Sequence, residues 1–373
     1  MALSNPTEPN QPKRFLIACG GTGGHLFPGI SVAQELKRRG HEVLLLVSEK
    51  KIDQRALQGH PDLQSKQIAM IGKPRTLSFA MVKFLFKFWK QLGNCKKILN
   101  DSRADAVLGM GGFTSLPPVM AARRLGKPTF IHESNAIPGK ANKLTAKYCS
   151  AVFVGMDVCT KHFPGKTCHT VGTPVRDGLR EPVDKTAALA SFGLDPSKLT
   201  MLVMGGSQGA RGVNDAVLGA LPQLDPAAIQ FIHLTGADGE AEVREVYEKS
   251  GFTHHVAAFC DRMAEALTCA DMSLCRSGAS SMSELAHFGI PSILVPYPHA
   301  AEDHQTHNAR PFADGGAAVL CPQGELTGES LAKVIQEKFL IASERDAMHK
   351  NMHSFSSDDA NIKICDIMEA QTA

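Results

Sequence analysis

The chain reads as an α/β protein built from two nucleotide-fold domains that face a shared cleft. Three observations predict it. A glycine-rich loop, Gly20-Gly21-Thr22-Gly23-Gly24-His25, follows the apolar run Phe15–Ala18. A second, Gly205-Gly206-Ser207-Gln208-Gly209-Ala210, follows Leu199–Met204, and each loop leads into a helix-like segment. Glycine lets backbone N–H groups approach an anion, and a helix start adds a favourable dipole. Third, short apolar runs alternate with amphipathic stretches along most of the chain, the pattern of parallel sheets covered by helices on both faces.

Taken in order, residues 1–12 are polar and proline-containing and read as a disordered tail. Residues 13–175 form the first domain. Its strands are expected at Arg14–Cys19, Glu42–Val47, Ala104–Leu108, Pro128–His132 and Ala151–Val154, with a helix at Gly29–Arg39 closed by Gly40. The stretch Val171–Arg176 reads as an exit strand and linker. Residues 176–351 restart the alternation. Here the strands are expected at Leu199–Met204, Ile229–Thr235, His255–Phe259, Met272–Leu274, Ser292–Pro296 and Ala317–Val319, with helices at Ala279–Phe288 and Glu329–Ala342. A last helix within residues 352–373 is expected to pack back on the first domain.

Composition bounds the function. With 373 residues there is material for two cores, and 43% hydrophobic with 21% charged residues suits a globular chain. A net charge of +3 is too small to argue for nucleic acid. No apolar run is long enough to span a bilayer. The 10 cysteines are scattered, without C-x-x-C or zinc spacing, as expected of free thiols in a reducing cytoplasm.

The first loop is neither a dinucleotide fingerprint, since Leu26 stands where the last glycine would be, nor a Walker loop, since no Lys-Ser/Thr follows. It offers a run of N–H donors ending in His25, the side chain best poised for proton transfer near neutral pH. The plain alternative is a His that caps the next helix; the glycines before it and Pro28 after it favour function. His132–Asn142 crowds amide and carboxylate groups after an apolar strand, where ligands bind in such folds, although an ordinary capped loop reads equally well. In the second domain, Cys275-Arg276-Ser277-Gly278 turns from a strand into the helix Ala279–Phe288. Ser277 and the helix start suit a diphosphate, and Glu284 suits the two hydroxyls of a ribose. Arg176 or Arg276 would supply positive charge. The stretch His299–Asn308 suits a hydroxyl-rich ligand or a solvated loop, and its spacing matches no helical zinc motif.

Residues 77–92 read as a helix in which Lys83, Lys87 and Lys90 line one face, opposite Met81, Leu85, Phe88 and Leu92. Phe79 and Phe86 fall beside the lysines and Trp89 on the flank. Aromatics next to a basic stripe suit an anionic membrane surface better than burial alone.

The motifs GGTGGHLFPG, MGGFTSLPP, HESNAIPGKANK, VGTPVR, GGSQGAR, CRSGASSMSELAHFGIPSILVPYP and DHQTHNA, in this order from Arg14 to the C-terminus, resemble the MurG family of peptidoglycan N-acetylglucosaminyltransferases, glycosyltransferase family 28. The resemblance implies a GT-B fold: two Rossmann-like domains with parallel sheets separated by a deep cleft. It implies an inverting transfer of GlcNAc from UDP-GlcNAc to the C4 hydroxyl of MurNAc in undecaprenyl-diphospho-MurNAc-pentapeptide (lipid I to lipid II). His25 would be the catalytic base. Thr22 and Gly23 would reach the donor sugar, while Gly20, Gly21, Gly24, Gly111 and Gly112 would shape the acceptor site. Asn135 would touch donor or acceptor. Arg176 and Ser207 would meet the donor diphosphate, and Arg276, Ser277, Gly278 and Ala279 would open the donor helix. Glu284 would bind ribose, the backbone at Phe259 and Cys260 would meet uracil, and His304 and Gln305 would read the GlcNAc hydroxyls. Phe113, Leu116 and His304 depart from residues frequent in the family.

The resemblance implies no required cofactor and no metal ligands, with assistance by a divalent cation left open. It implies a peripheral location on the cytoplasmic face of the bacterial inner membrane, with lipid I, an anionic membrane surface and other cell-wall synthesis proteins as partners and no nucleic acid. The alternatives are another UDP-sugar-dependent glycolipid glycosyltransferase, a UDP-GlcNAc epimerase, or a non-catalytic sugar-nucleotide-binding protein.

Overall fold

The computed structural model describes residues 11–69, 79–206 and 209–372. The disordered tail expected at 1–12 and the start of the basic-aromatic helix at Leu77 therefore fall wholly or largely outside the described residues, as does Ser207. The chain divides into two compact units: one comprises residues 1–133, 138–174 and 359–373, the other residues 134–137 and 175–358.

The first unit runs β1 (Arg14–Ala18), α1 (Gly23–Arg38), β2 (Glu42–Ser48), α2 (Lys51–Gln58), β3 (Gln64–Ile68), α3 (Phe79–Asp101), β4 (Ala106–Gly109), α4 (Gly112–Arg124), β5 (Thr129–Glu133), α5 (Lys140–Ala146), β6 (Ala151–Val154) and β7 (Cys168–Thr170). Its sheet is ordered β3-β2-β1-β4-β5-β6-β7, with every pairing parallel. Successive strand residues point to opposite faces, and β1 shows the consequence. Phe15 and Ile17 join one buried cluster with Leu26, Ile30 and Leu36 of α1, while Leu16 and Ala18 join a second with Leu92, Leu99 and Val119. Both faces are dry, which is why these strands read as unbroken apolar runs.

The second unit runs α6 (Lys185–Ser191), β8 (Leu199–Met204), α7 (Arg211–Ala220), β9 (Ile229–Leu234), α8 (Glu240–Ser250), β10 (His254–Ala257), α9 (Met263–Cys269), β11 (Met272–Cys275), α10 (Ala279–Phe288), β12 (Ser292–Leu294), α11 (His304–Asp314), β13 (Ala318–Leu320), α12 (Gly328–Val334) and α13 (Ala342–His353). Its sheet is ordered β10-β9-β8-β11-β12-β13, again all parallel. The chain then returns to the first unit as α14 (Ala360–Gln371), inside the expected 352–373. Ile364, Cys365 and Met368 of α14 are buried with the β1 cluster. Arg39 pins the seam, reaching Glu35 at 2.8 Å, Asp366 at 2.7 Å and Glu369 at 2.8 Å.

Several elements differ from the sequence expectation, each for a physical reason. Helix α1 starts at Gly23, not Gly29, and carries Pro28 inside it. Pro28 is the sixth residue of the helix, past the first turn, so it gives up the i→i−4 bond its N–H would make, yet the helix runs on through it and the proline marks no boundary. Strand β3 is the polar run QSKQI with only Ile68 buried; pairing with β2 makes it a strand, not its own pattern. Helix α4 contains Pro117 and Pro118, and the expected helix 329–342 is broken by a π-helical turn at Ile335–Phe339.

Candidate functional site

Each sheet reverses its strand order once, between β1 and β4 in the first unit and between β8 and β11 in the second. Ligands of open parallel sheets bind at the carboxyl ends of the strands at such a reversal. The sequence places chemistry at those four ends. Gly20–His25 follows β1, Met110–Gly112 follows β4, Gly205–Ala210 follows β8 and Arg276–Gly278 follows β11.

In the first unit His25 lies in the first turn of α1, whose N-cap is Thr22. The Thr22 hydroxyl and His25 Nδ1 are 3.2 Å apart. Burial lowers the imidazole pKa from 6.5 to about 4, opposed by the charge of Asp53, so the half-buried ring is neutral at physiological pH. The β4 loop walls the ring. A Cβ on Gly111 would lie 2.7 Å from His25 Nε2, and its φ of +119° disfavours any side chain. Gly112 N–H donates to Asn142 Oδ1 at 3.1 Å. The Asn142 amide donates in turn to Glu133 Oε2 at 2.8 Å and to the His132 carbonyl at 3.2 Å. The polar crowd at 132–142 thus braces the second loop from behind. Burial also lowers His132 to about 4, while its Nε2 sits 2.8 Å from the Gly172 carbonyl.

The first glycine loop is tied down from beneath. Gly20 packs so closely on β2 that a Cβ would lie 2.2 Å from Ser48 N. Gly21 N–H donates to Asp53 Oδ2 at 2.9 Å, and Lys50 Nζ donates to the Gly21 carbonyl at 2.7 Å. Sequence reading missed Asp53, Lys50 and the bracing role of Asn142. The only signal for Asp53 was an acid in the first turn of a helix it had not recognised.

In the second unit α10 begins after Gly278, with Ser277 fully buried and its hydroxyl unpartnered among the described residues. Asn308 is the hub: its amide donates to the Ser277 carbonyl at 3.2 Å and to Asn135 Oδ1 at 3.0 Å, and its oxygen accepts from Ala136 N at 2.8 Å. This is why the short segment 134–137 belongs to the second unit. Arg176 and Glu284, both expected on the donor, are paired with each other, Nε to Oε1 at 2.9 Å. Burial raises the Glu284 pKa, opposed by Arg176 and His287.

Arg276, expected to open the donor helix, already has partners within the unit. Its guanidinium turns onto the Val295 and Pro296 carbonyls at 3.3 and 3.1 Å and onto Gln323 Oε1 at 2.5 Å, over the ring of Tyr297. It fastens the loop after β12 to the loop after β13. Gln305 Oε1 accepts from Tyr297 N at 2.9 Å, and His304 Nδ1 sits 2.8 Å from the Ala301 carbonyl. Glu302 and Asp303, just before α11, take left-handed φ values of +55° and +52°, a local strain of the kind that clusters at functional sites. Phe259 is 55% exposed beyond β10, beside the half-buried thiol of Cys260.

Among the described residues no group of His, Cys, Asp and Glu is arranged to hold a metal, and no helix is long and apolar enough to cross a membrane. The expected membrane helix is α3. Lys83, Lys87 and Lys90 are exposed, and so are Val82 (67%), Leu85 (47%), Phe86 (72%) and Trp89 (56%). Leu85, expected on the face opposite the lysines, is exposed as well, and full burial begins only at Gln91 and Leu92. The Arg124 guanidinium lies 5.2 Å from the Trp89 ring centre. The Phe79 side chain is outside the described set.

Comparison with known proteins agrees with this division. The glycosyltransferase family 28 N-terminal domain matches residues 15–154, and the family 28 C-terminal domain matches residues 200–363. A UDP-N-acetylglucosamine–N-acetylmuramyl-(pentapeptide) pyrophosphoryl-undecaprenol N-acetylglucosamine transferase of Geobacter sulfurreducens is 38% identical over 363 residues, 96% of this chain and 99% of that protein. Its namesake in Geotalea uraniireducens is 38% identical over 369 residues, covering 96% and 99%. The crystal structure of Acinetobacter baumannii MurG superposes with a TM-score of 0.77 at 28% identity, covering 96% of this chain and all of that one. The paired parallel sheets are those of GT-B glycosyltransferases, and the chain belongs to glycosyltransferase family 28, within the MurG family of N-acetylglucosamine transferases.

Proposed function

We propose that the protein moves GlcNAc from UDP-GlcNAc to the C4 hydroxyl of MurNAc in undecaprenyl-diphospho-MurNAc-pentapeptide, making the disaccharide lipid of peptidoglycan. The observation that carries this reading is whole-length likeness to transferases whose printed name specifies that donor and acceptor.

The chemistry is one inverting displacement. The acceptor oxygen attacks C1 of GlcNAc, the bond from C1 to UDP breaks, and the hydroxyl proton passes to His25. A ring with a pKa of about 4 is neutral at working pH and ready to accept, but it is a weak base. Most of the barrier is therefore lowered at the leaving group. The α10 start, the buried Ser277 hydroxyl, Arg176 and, outside the described residues, Ser207 stabilise charge on departing UDP.

In this reading Glu284 accepts from the ribose hydroxyls, since a carboxylate bonded to Arg176 through one oxygen keeps acceptor capacity on the other. Phe259 and Cys260 meet uracil, and His304, Gln305 and Asn135 meet the sugar, with Thr22 and Gly23 beside it. Gly20, Gly21, Gly24, Gly111 and Gly112 cradle the acceptor. Arg276 shapes the donor loops at the start of the donor helix.

The exposed apolar and basic residues of α3 support docking on the anionic cytoplasmic face of the inner membrane, where the lipid acceptor and other cell-wall proteins are met. No cofactor is required. The test is UDP release from UDP-GlcNAc with and without lipid-linked acceptor, and with and without chelator. Acceptor-dependent release with formation of the disaccharide lipid is expected. Release driven only by a different glycolipid, or none at all, overturns the assignment.

A further inference from the structure

The buried carboxylate of Asp53 has no role in the reading above, yet it is the anchor of the loop that carries His25. It is fully buried on α2. One oxygen, Oδ2, accepts from Gly21 N at 2.9 Å, Ser48 N at 2.9 Å and Ser48 Oγ at 2.6 Å. Three donors thus converge on one oxygen. The other oxygen, Oδ1, is buried with no hydrogen-bond partner among the described residues. A buried charge bonded through a single oxygen is costly, and fold stability alone does not call for it.

Its position explains it. Gly21 immediately precedes Thr22, the N-cap of α1, and Thr22 accepts the His25 backbone N–H at 3.1 Å and meets the imidazole with its hydroxyl. Whatever fixes Gly21 therefore fixes the turn on which His25 stands. The ionisable groups near that turn leave Asp53 as the negative charge acting on the ring. His132, from β5, is neutral at working pH because burial lowers its pKa to about 4, and Cys19, just after β1, is a buried thiol whose pKa is pushed up. Lys50 is taken up by the Gly21 carbonyl, and Glu133 by Asn142 and Gly139 N–H. The β4 loop contributes only glycine backbone.

We propose that Asp53 is a positioning residue for the transfer: its buried carboxylate locks the Gly20–Gly24 turn and supplies the negative charge that stabilises His25 when it takes up the acceptor proton. The inference rests on His25 being the base. It adds a group that touches no substrate and acts only through Gly21 and the field at His25.

The test compares Asp53→Asn and Asp53→Glu with the wild-type full-length protein. For Asp53→Asn, kcat should fall about tenfold or more, as small misplacements of catalytic groups do, while the Kd for UDP-GlcNAc is unchanged. In ring-labelled protein the NMR titration of His25 should move to lower pH, because the imidazolium has lost its counter-charge. Asp53→Glu should recover most of the kcat. A folded Asp53→Asn protein with wild-type kcat and an unmoved His25 titration overturns the proposal. If Asp53→Asn does not fold, Asp53→Ser, which also removes the charge and keeps a hydroxyl acceptor, is read by the same titration, and an unmoved His25 again overturns it. The NMR readout needs no turnover, so the proposal and the assignment of the reaction fail separately.

Discussion

The two glycine loops were written alike in the sequence, yet the two units build opposite kinds of site around them. In the first unit the ends of β1 and β4 present backbone N–H groups and one neutral imidazole, with the Asp53 carboxylate buried beneath the loop and Lys50 bonded to the Gly21 carbonyl. In the second, the end of β11 presents a buried hydroxyl and a helix start beside the ion pair Arg176–Glu284. The contrast teaches a division of labour. A neutral, glycine-lined surface suits a bulky anionic acceptor and a proton acceptor that must stay unprotonated. A site with charged groups already paired suits a small nucleotide that can share those charges.

The sharpest way to break this comparison is His25→Ala. It should lower kcat by about 10²–10⁴-fold, the usual contribution of a positioned base, without changing the Kd for UDP-GlcNAc measured by calorimetry. An equal loss of donor affinity would erase the distinction between the units.

The ion pair comes next. Arg176→Ala leaves Glu284 in a site where its side chain is only 13% exposed, and should cost about 1–3 kcal/mol in urea unfolding, since an orphaned, largely buried charge is destabilising. Glu284→Ala should instead weaken donor binding about tenfold, roughly 1.4 kcal/mol, with little change in stability. If both variants lost only stability, the pair would be structural.

A third test uses pH. Burial lowers His25 and His132 to about 4 and His233 to about 3, against 6.5 when unfolded. The unfolded chain therefore takes up protons first as pH falls, and stability is lost progressively between pH 6.5 and about 4. Urea midpoints across that window should show it, and His233→Gln, away from both loops, should make the decline shallower. A flat profile would mean these rings are not held neutral.

The smallest effect concerns α3. Phe86→Glu with Trp89→Glu should abolish binding to vesicles of anionic lipid while leaving the melting temperature within experimental error, because both side chains are already exposed. Unchanged vesicle binding would move the membrane surface elsewhere.

Much of this was legible in the chain. Strand β8 and helix α10 fall where their patterns put them, because a dry strand reads as an unbroken apolar run and α10 is closed by Gly289 in a left-handed turn that glycine favours. His25, Ser277 and Glu284 were visible because polar groups directly after buried strands are conspicuous. Strand β3 was not legible, since an edge strand with four exposed polar residues takes its conformation from its neighbour. Nor was the start of α1, where glycines and Pro28 conceal a helical turn.

By itself, then, the sequence determined two parallel α/β sheets, the loops at their strand ends and the chemical types gathered there, because hydrophobic periodicity and glycine spacing are local properties. Only the tertiary structure decided partnerships. It turned Arg276 onto backbone carbonyls and joined Arg176 to Glu284. It drew Asn135 to Asn308 and set Asp53 beneath Gly21. Such pairings join residues from 19 to 173 positions apart. They are fixed by which strands lie side by side and by the need of buried polar groups to find partners, neither of which any short stretch of chain encodes.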